Sequence, residues 1–131
     1  MKILVGYNGS TASKRALELA STHSKTYDAV LYVMTSMEGG SGEKPDEIQK
    51  AQLILEEAKA YLDGQGVTYE TSQLARGMAP GKDLIRFAKE NDVDHIFLGI
   101  EKLSRVGKLL LGSTAQYIIL KAPCPVTTVR P

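Results

Sequence analysis

"KILVGYNGSTASKRALELASTHSK" (2–25) changes period at a single turn. Residues 2–7 are a continuous apolar run of the kind buried on both faces of a sheet. The run breaks at Asn8-Gly9-Ser10, a turn signal. Beyond it Ala12, Ala16, Leu19, Ala20 and His23 share one helical face, with Ser10 placed as the N-cap. A buried strand leading straight into an amphipathic helix is the first half of a β-α-β unit.

The rest of the chain repeats that alternation. Residues 28–35 read as a second buried strand, followed by "EGGSGEKP" (38–45), a loop by composition. Pro45 suits the first turn of a helix, and Ile48, Ala51, Leu55, Ala58 and Leu62 then recur at helical spacing up to "DGQG". Residues 67–74 alternate like a strand exposed on one face. Residues 80–92 form a helix burying Leu84, Ile85 and Ala88, and 94–99 a fourth strand. A last helix is expected over 113–122 and a last strand over 125–130. Strands alternating with helices imply parallel pairing through right-handed crossovers, with helices on both faces. The expected fold is therefore α/β: a single doubly wound three-layer sandwich with five parallel strands, one domain over 1–131. A (β/α)8 barrel would need about 250 residues.

Composition narrows the function classes. A formal charge of +1 gives no global case for nucleic acid or an anionic membrane. No apolar run approaches the roughly 20 residues that span a bilayer. The first ten residues do not read as a signal peptide, so the cytoplasm is the expected location. Cys124 is the only cysteine, which excludes an internal disulfide and a Cys-cluster metal site. It sits between two prolines and reads as a small buried hydrophobe. His23 and His95 lack a partner at triad spacing, and Asn8-Gly9-Ser10 is a sequon with no secretory route. The charges on 45–63 read as a solvated helix face.

In a doubly wound sheet the ligand crevice opens at the carboxyl ends of the strands, where the winding reverses. With strand order 3-2-1-4-5, the loop after strand one (8–10) and the long connection after strand four (99–112) meet there. "GIEKLSRVGKLLLGST" (99–114) contains three basic residues against one acid, a net +2. Gly99 ends a strand, where a missing side chain admits a ligand to the backbone. Gly112-Ser113-Thr114 opens a helix, whose free N–H groups and dipole favour an anion. The same residues read equally as a loop end, a helix cap and a solvated basic surface. Gly107-x4-Gly112 has Walker A spacing but Ser113 stands where Lys is needed, and no G-x-G-x-x-G follows the first strand.

"KILVGYNGSTAS" (2–13), "ARGMAPGKDLIRFAKENDVDHIFLG" (75–99) and above all "KLLLGSTAQYIILKAPCPVTTVR" (108–130) resemble the universal stress protein (UspA) family over the whole chain. The resemblance implies the adenine nucleotide alpha-hydrolase-like sandwich with strand order 3-2-1-4-5. It also implies a homodimer joined at or near the last strand, Val126–Val129. One branch of the family binds ATP or AMP through G-x2-G-x9-G-[ST] after strand four; another binds no nucleotide. Here Gly99 and Gly112-Ser113 keep the frame, Lys102 replaces the middle glycine, and Asn8 stands where binders usually carry Asp. If nucleotide binds, the resemblance places adenine near Val33 and Met34 and ribose near Asn8 and Gly99. Phosphates would lie on Gly112, Ser113 and Thr114, near Lys102 and Arg105, with Mg or Mn as an accompanying metal. The expected function is a stress-response regulatory protein binding adenine nucleotide, the alternative a dimeric interaction protein without it. No general base or nucleophile is evident, so an enzyme would show at most slow incidental hydrolysis.

Overall fold

The computed structural model describes residues 1–36, 45–74, 77–100, 102–103 and 109–131. Arg105 and nearly all of the 38–45 loop lie outside them. The elements run β1 (Lys2–Gly6), α1 (Thr11–Tyr27), β2 (Val30–Ser36), α2 (Pro45–Asp63), β3 (Tyr69–Leu74), α3 (Pro80–Glu90), β4 (His95–Gly99), β5 (Lys102–Leu103), β6 (Leu109–Leu110), α4 (Ser113–Lys121) and β7 (Val126–Val129). The main sheet has the order β3-β2-β1-β4-β7 and is parallel throughout. Counting its five strands alone, this is the expected 3-2-1-4-5. The winding reverses between β1 and β4, where Gly6 pairs with Leu98.

Alternation along the strands sorts the core into two layers. Ile3, Val5, Leu31, Val33 and Phe97 pack on α1 and α2, through Ala16, Leu17, Leu55, Ala58 and Leu62. Leu4, Met34, Ile96 and Leu98 face the other way, onto Leu84, Ile85 and Ala88 of α3 and Ile118 of α4. Each fully buried large side chain stabilises the fold by about 1.5–3 kcal/mol. No helix among the described residues is long and apolar enough to cross a membrane.

Two expectations need correction. On α1, Leu19 is 37% exposed while Leu17 is 2% exposed, so the buried stripe is rotated from the one expected. Its far side is made of Ser13, Ser21 and Ser24, which count as polar in any pattern yet are buried here. Ser24 Oγ donates to the carbonyl of Ala29 at 2.5 Å, which lets a hydroxyl replace a methyl at the helix end. The connection 99–112 also contains paired structure, since β5 and β6 form an antiparallel ribbon with Lys102 opposite Leu110. Two-residue strands are too short to show a period.

Candidate functional site

In a parallel sheet every crossover helix begins at the carboxyl edge, so helix N-termini collect where strands end. A cavity of about 250 Å³ opens there, lined by Gly6, Tyr7 and Asn8 from the exit of β1, and by Leu98 and Gly99 from β4. Met34 and Thr35 close it from β2; Ser13, Pro80 with Leu84, and Thr114 bring the starts of α1, α3 and α4. It lies at the reversal of the winding, as the topology requires.

The three helix starts differ in what they leave free. The Ser10 side chain caps α1, its Oγ accepting from the Ser13 N–H at 3.1 Å. Helix α3 has no side-chain cap bond, but Pro80 contributes no N–H there and Asp83 puts an acid in its first turn. At α4 the cap residue is Gly112, which has no side chain to offer, and no side-chain cap bond forms among the described residues. A Cβ placed on Gly112 would meet nothing within 4 Å among the described residues. The first-turn amides and positive dipole end of α4 are those best suited to an anion.

The exit of β1 is held firmly. Asn8 Oδ1 accepts from the Ser10 N–H at 3.0 Å, closing a local turn. Thr35 Oγ1 donates to the Tyr7 carbonyl at 2.6 Å, and the Tyr7 N–H donates to the Met34 carbonyl at 2.9 Å. Burial, reinforced by the Glu57 carboxylate, pushes the Tyr7 phenol above its ordinary pKa.

Of the residues expected at the site, Asn8, Met34, Gly99 and Thr114 line the cavity. Ser113 and Gly112 are exposed at the adjoining helix start. Val33 is fully buried on the opposite face, against α1 and α2, because side chains alternate along β2. Lys102 lies in the ribbon strand β5; Arg105 is outside the described residues. The reason given for Gly99 also changes. A Cβ there would stand 2.5 Å from the Ala12 carbonyl carbon and the Ser13 nitrogen. The close approach that demands glycine is made by α1 itself.

Sequence reasoning missed Tyr7, Ser13, Thr35, Pro80, Leu84 and Leu98. Thr35 and Tyr7 carried a signal, each following a strand's last buried residues. Pro80 could have been found from the rule that crossover helices all start at the same edge.

The remaining candidates are elsewhere. His95 begins β4, at the end of the strand away from the cavity. Its ring stacks on Phe97 with centroids 4.6 Å apart, and its Nε2 lies 2.7 Å from Thr127 Oγ1. His23 packs edge-on to Phe97 at 5.0 Å. Burial, with the nearby His23 charge, holds the His95 pKa below its ordinary 6.5. The folded protein therefore binds this proton less tightly than the unfolded chain, and stability is lost as pH falls below about 6.5. We expect melting temperature to drop between about pH 7 and pH 5, and His95→Gln to flatten that slope; an unchanged slope would remove His95 as its source. Cys124 is half-buried, and burial, with Asp94, pushes its thiol upward, away from the reactive thiolate. Among the described residues no group of three His, Cys, Asp or Glu is placed to hold a metal ion.

The universal stress protein family model matches residues 1–130. A Thermus aquaticus protein named universal stress protein in QAH/OAS sulfhydrylase 3′ region is 33% identical, with 98% of this chain and 97% of the relative covered. Among solved structures, a universal stress protein from Archaeoglobus fulgidus superposes with a TM-score of 0.92 at 35% identity, covering 98% of each chain. A structure of the universal stress protein from Archaeoglobus fulgidus in complex with dAMP gives a TM-score of 0.85 at 32% identity, covering 98% of this chain and 97% of that one.

Proposed function

The chain belongs to the universal stress protein family, and on that premise we propose that it is a stress-response regulatory protein that binds ATP or AMP at the carboxyl ends of β1 and β4. The nucleoside occupies the cavity, with adenine toward Met34 and ribose by Asn8 and Gly99. The phosphates lie on the first turn of α4, at Gly112, Ser113 and Thr114, with Lys102 and Arg105 as the nearby cations. The observation that carries this reading is that α4 starts uncapped at the mouth of the cavity, whereas α1 is capped by its own Ser10. The dAMP complex of the Archaeoglobus relative supports it. Among the described residues no carboxylate lines the cavity, so those residues do not fit a protein-held Mg or Mn ion. We assign the site to binding and regulation, in a cytoplasmic homodimer joined through the β7 edge, Val126–Val129.

A second reading, a dimeric interaction protein without nucleotide, is favoured by Asn8, whose Oδ1 is already engaged by Ser10. Calorimetric titration with AMP, dAMP and ATP separates the two, together with mass spectrometry of nucleotide released on denaturation. Saturable binding is expected; none up to about 10 mM nucleotide would establish the second reading. Thr114→Asp sets a carboxylate against the phosphate and should weaken AMP and ATP about tenfold or more while sparing adenosine. An acid in the first turn suits a helix N-terminus, so the fold should hold. Unchanged AMP affinity in that variant would remove the phosphates from α4.

A further inference from the structure

Tyr7 borders two hollows. One is the cavity at the strand ends; the other, of about 310 Å³, opens between α1 and α2. Tyr7 and Leu17 form the floor of the second and are 4% and 2% exposed. Ala60 and the half-buried ring of Tyr61 wall it from α2, while Lys14, Glu18 and Glu57 stand exposed around it. Neither glutamate makes an ion pair among the described residues.

The composition of this hollow selects its ligand. Two carboxylates against one ammonium leave a net charge of −1, which repels phosphates and carboxylates. Two phenol rings line it, and cations favour the faces of such rings. Burial pushes both phenols upward in pKa, with Glu57 adding to Tyr7 and Glu18 to Tyr61, so both remain neutral donors around neutral pH. Leu17 and Ala60 give the hollow an apolar surface that an inorganic cation would not use. We propose that the α1–α2 hollow is a second ligand site, which takes a small organic monocation with its ammonium between Glu18 and Glu57 and its apolar body against Leu17, Tyr7 and Tyr61. The site is independent of the nucleotide reading and involves none of the α4 residues.

The test uses the full chain without nucleotide, with 2-phenylethylammonium as probe and amide chemical shifts as readout. Saturable shifts are expected at residues 14–18 and 57–61. The isosteric anion phenylacetate and the neutral 2-phenylethanol should bind at least about fivefold more weakly, and added salt should narrow the difference. Glu18→Gln and Glu57→Gln should each weaken the probe about threefold. Ala60→Phe, a change at an exposed helical position, should fill the hollow and abolish the shifts, with its melting curve confirming that it folds. No saturable shift up to about 10 mM probe would overturn the site. Equal binding of phenylacetate or 2-phenylethanol would overturn the cation assignment, and binding that survives Ala60→Phe would overturn the location.

Discussion

Gly99→Ala is expected to lower the unfolding free energy by about 3 kcal/mol or more. The added methyl would lie 2.5 Å from two main-chain atoms of α1 and 2.8 Å from the Ala12 carbonyl oxygen. No rotamer change relieves such a contact, because the obstacle is backbone on both sides. Either the first turn of α1 moves away from β4 or β4 leaves its register with β1. Both movements pull apart the walls of the candidate site, so nucleotide affinity should fall with stability. Gly112→Ala is the internal comparison: the same methyl there meets nothing within 4 Å among the described residues, and its cost should stay within about 1 kcal/mol, the loss of a preferred cap residue. Urea denaturation of both variants is the measurement; equal costs would show that close packing is not what Gly99 serves.

Phe97→Ala should cost about 3–5 kcal/mol. Phe97 is fully buried at the centre of β4, among the side chains that join the sheet to α1 and α2. The neighbours that would have to collapse into the gap are themselves constrained. His95 is tied to Thr127 and to its place on β4, and His23 Nδ1 lies 3.2 Å from the Leu19 carbonyl. A poorly collapsing site loses both the transfer and the cavity contribution. Water reaching the vacated space would also let the His95 pKa rise toward normal, so the acid-side loss of stability should shrink along with the overall drop. A cost near 1 kcal/mol in denaturant unfolding would mean that the aromatic group is not the keystone of this layer.

The alternation of buried strands and amphipathic helices was legible because it rests on periods long enough to count. Sheet order followed from the winding rules, and the cavity's position from the reversal between β1 and β4. Features set by tertiary packing were not readable. Buried serines on α1 hide its true face; the structure shows why for Ser24, whose Oγ donates to the Ala29 carbonyl, and for Ser13, whose Oγ donates to the Ser10 carbonyl. The family resemblance implies adenine near both Val33 and Met34, although alternation sends adjacent strand residues to opposite layers; of the two, only Met34 lines the cavity. At Gly99 the sequence suggests room for a ligand, whereas the structure shows the main chain of α1 against it. Tyr7 could not be seen as the partition between two hollows, because the second hollow exists only once α2 is laid beside α1.

Helix α4 has nine residues and a glycine where α1 has a serine. So short a helix has little stability of its own in water. On the reading proposed here, a phosphate does for α4 what Ser10 does for α1, supplying from outside the acceptor that the chain omits. Occupancy then becomes a folding variable: the local melting equilibrium of this one segment rises and falls with nucleotide concentration. The protein would carry a gauge of adenylate supply in the firmness of a single turn, with no hinge or moving domain required.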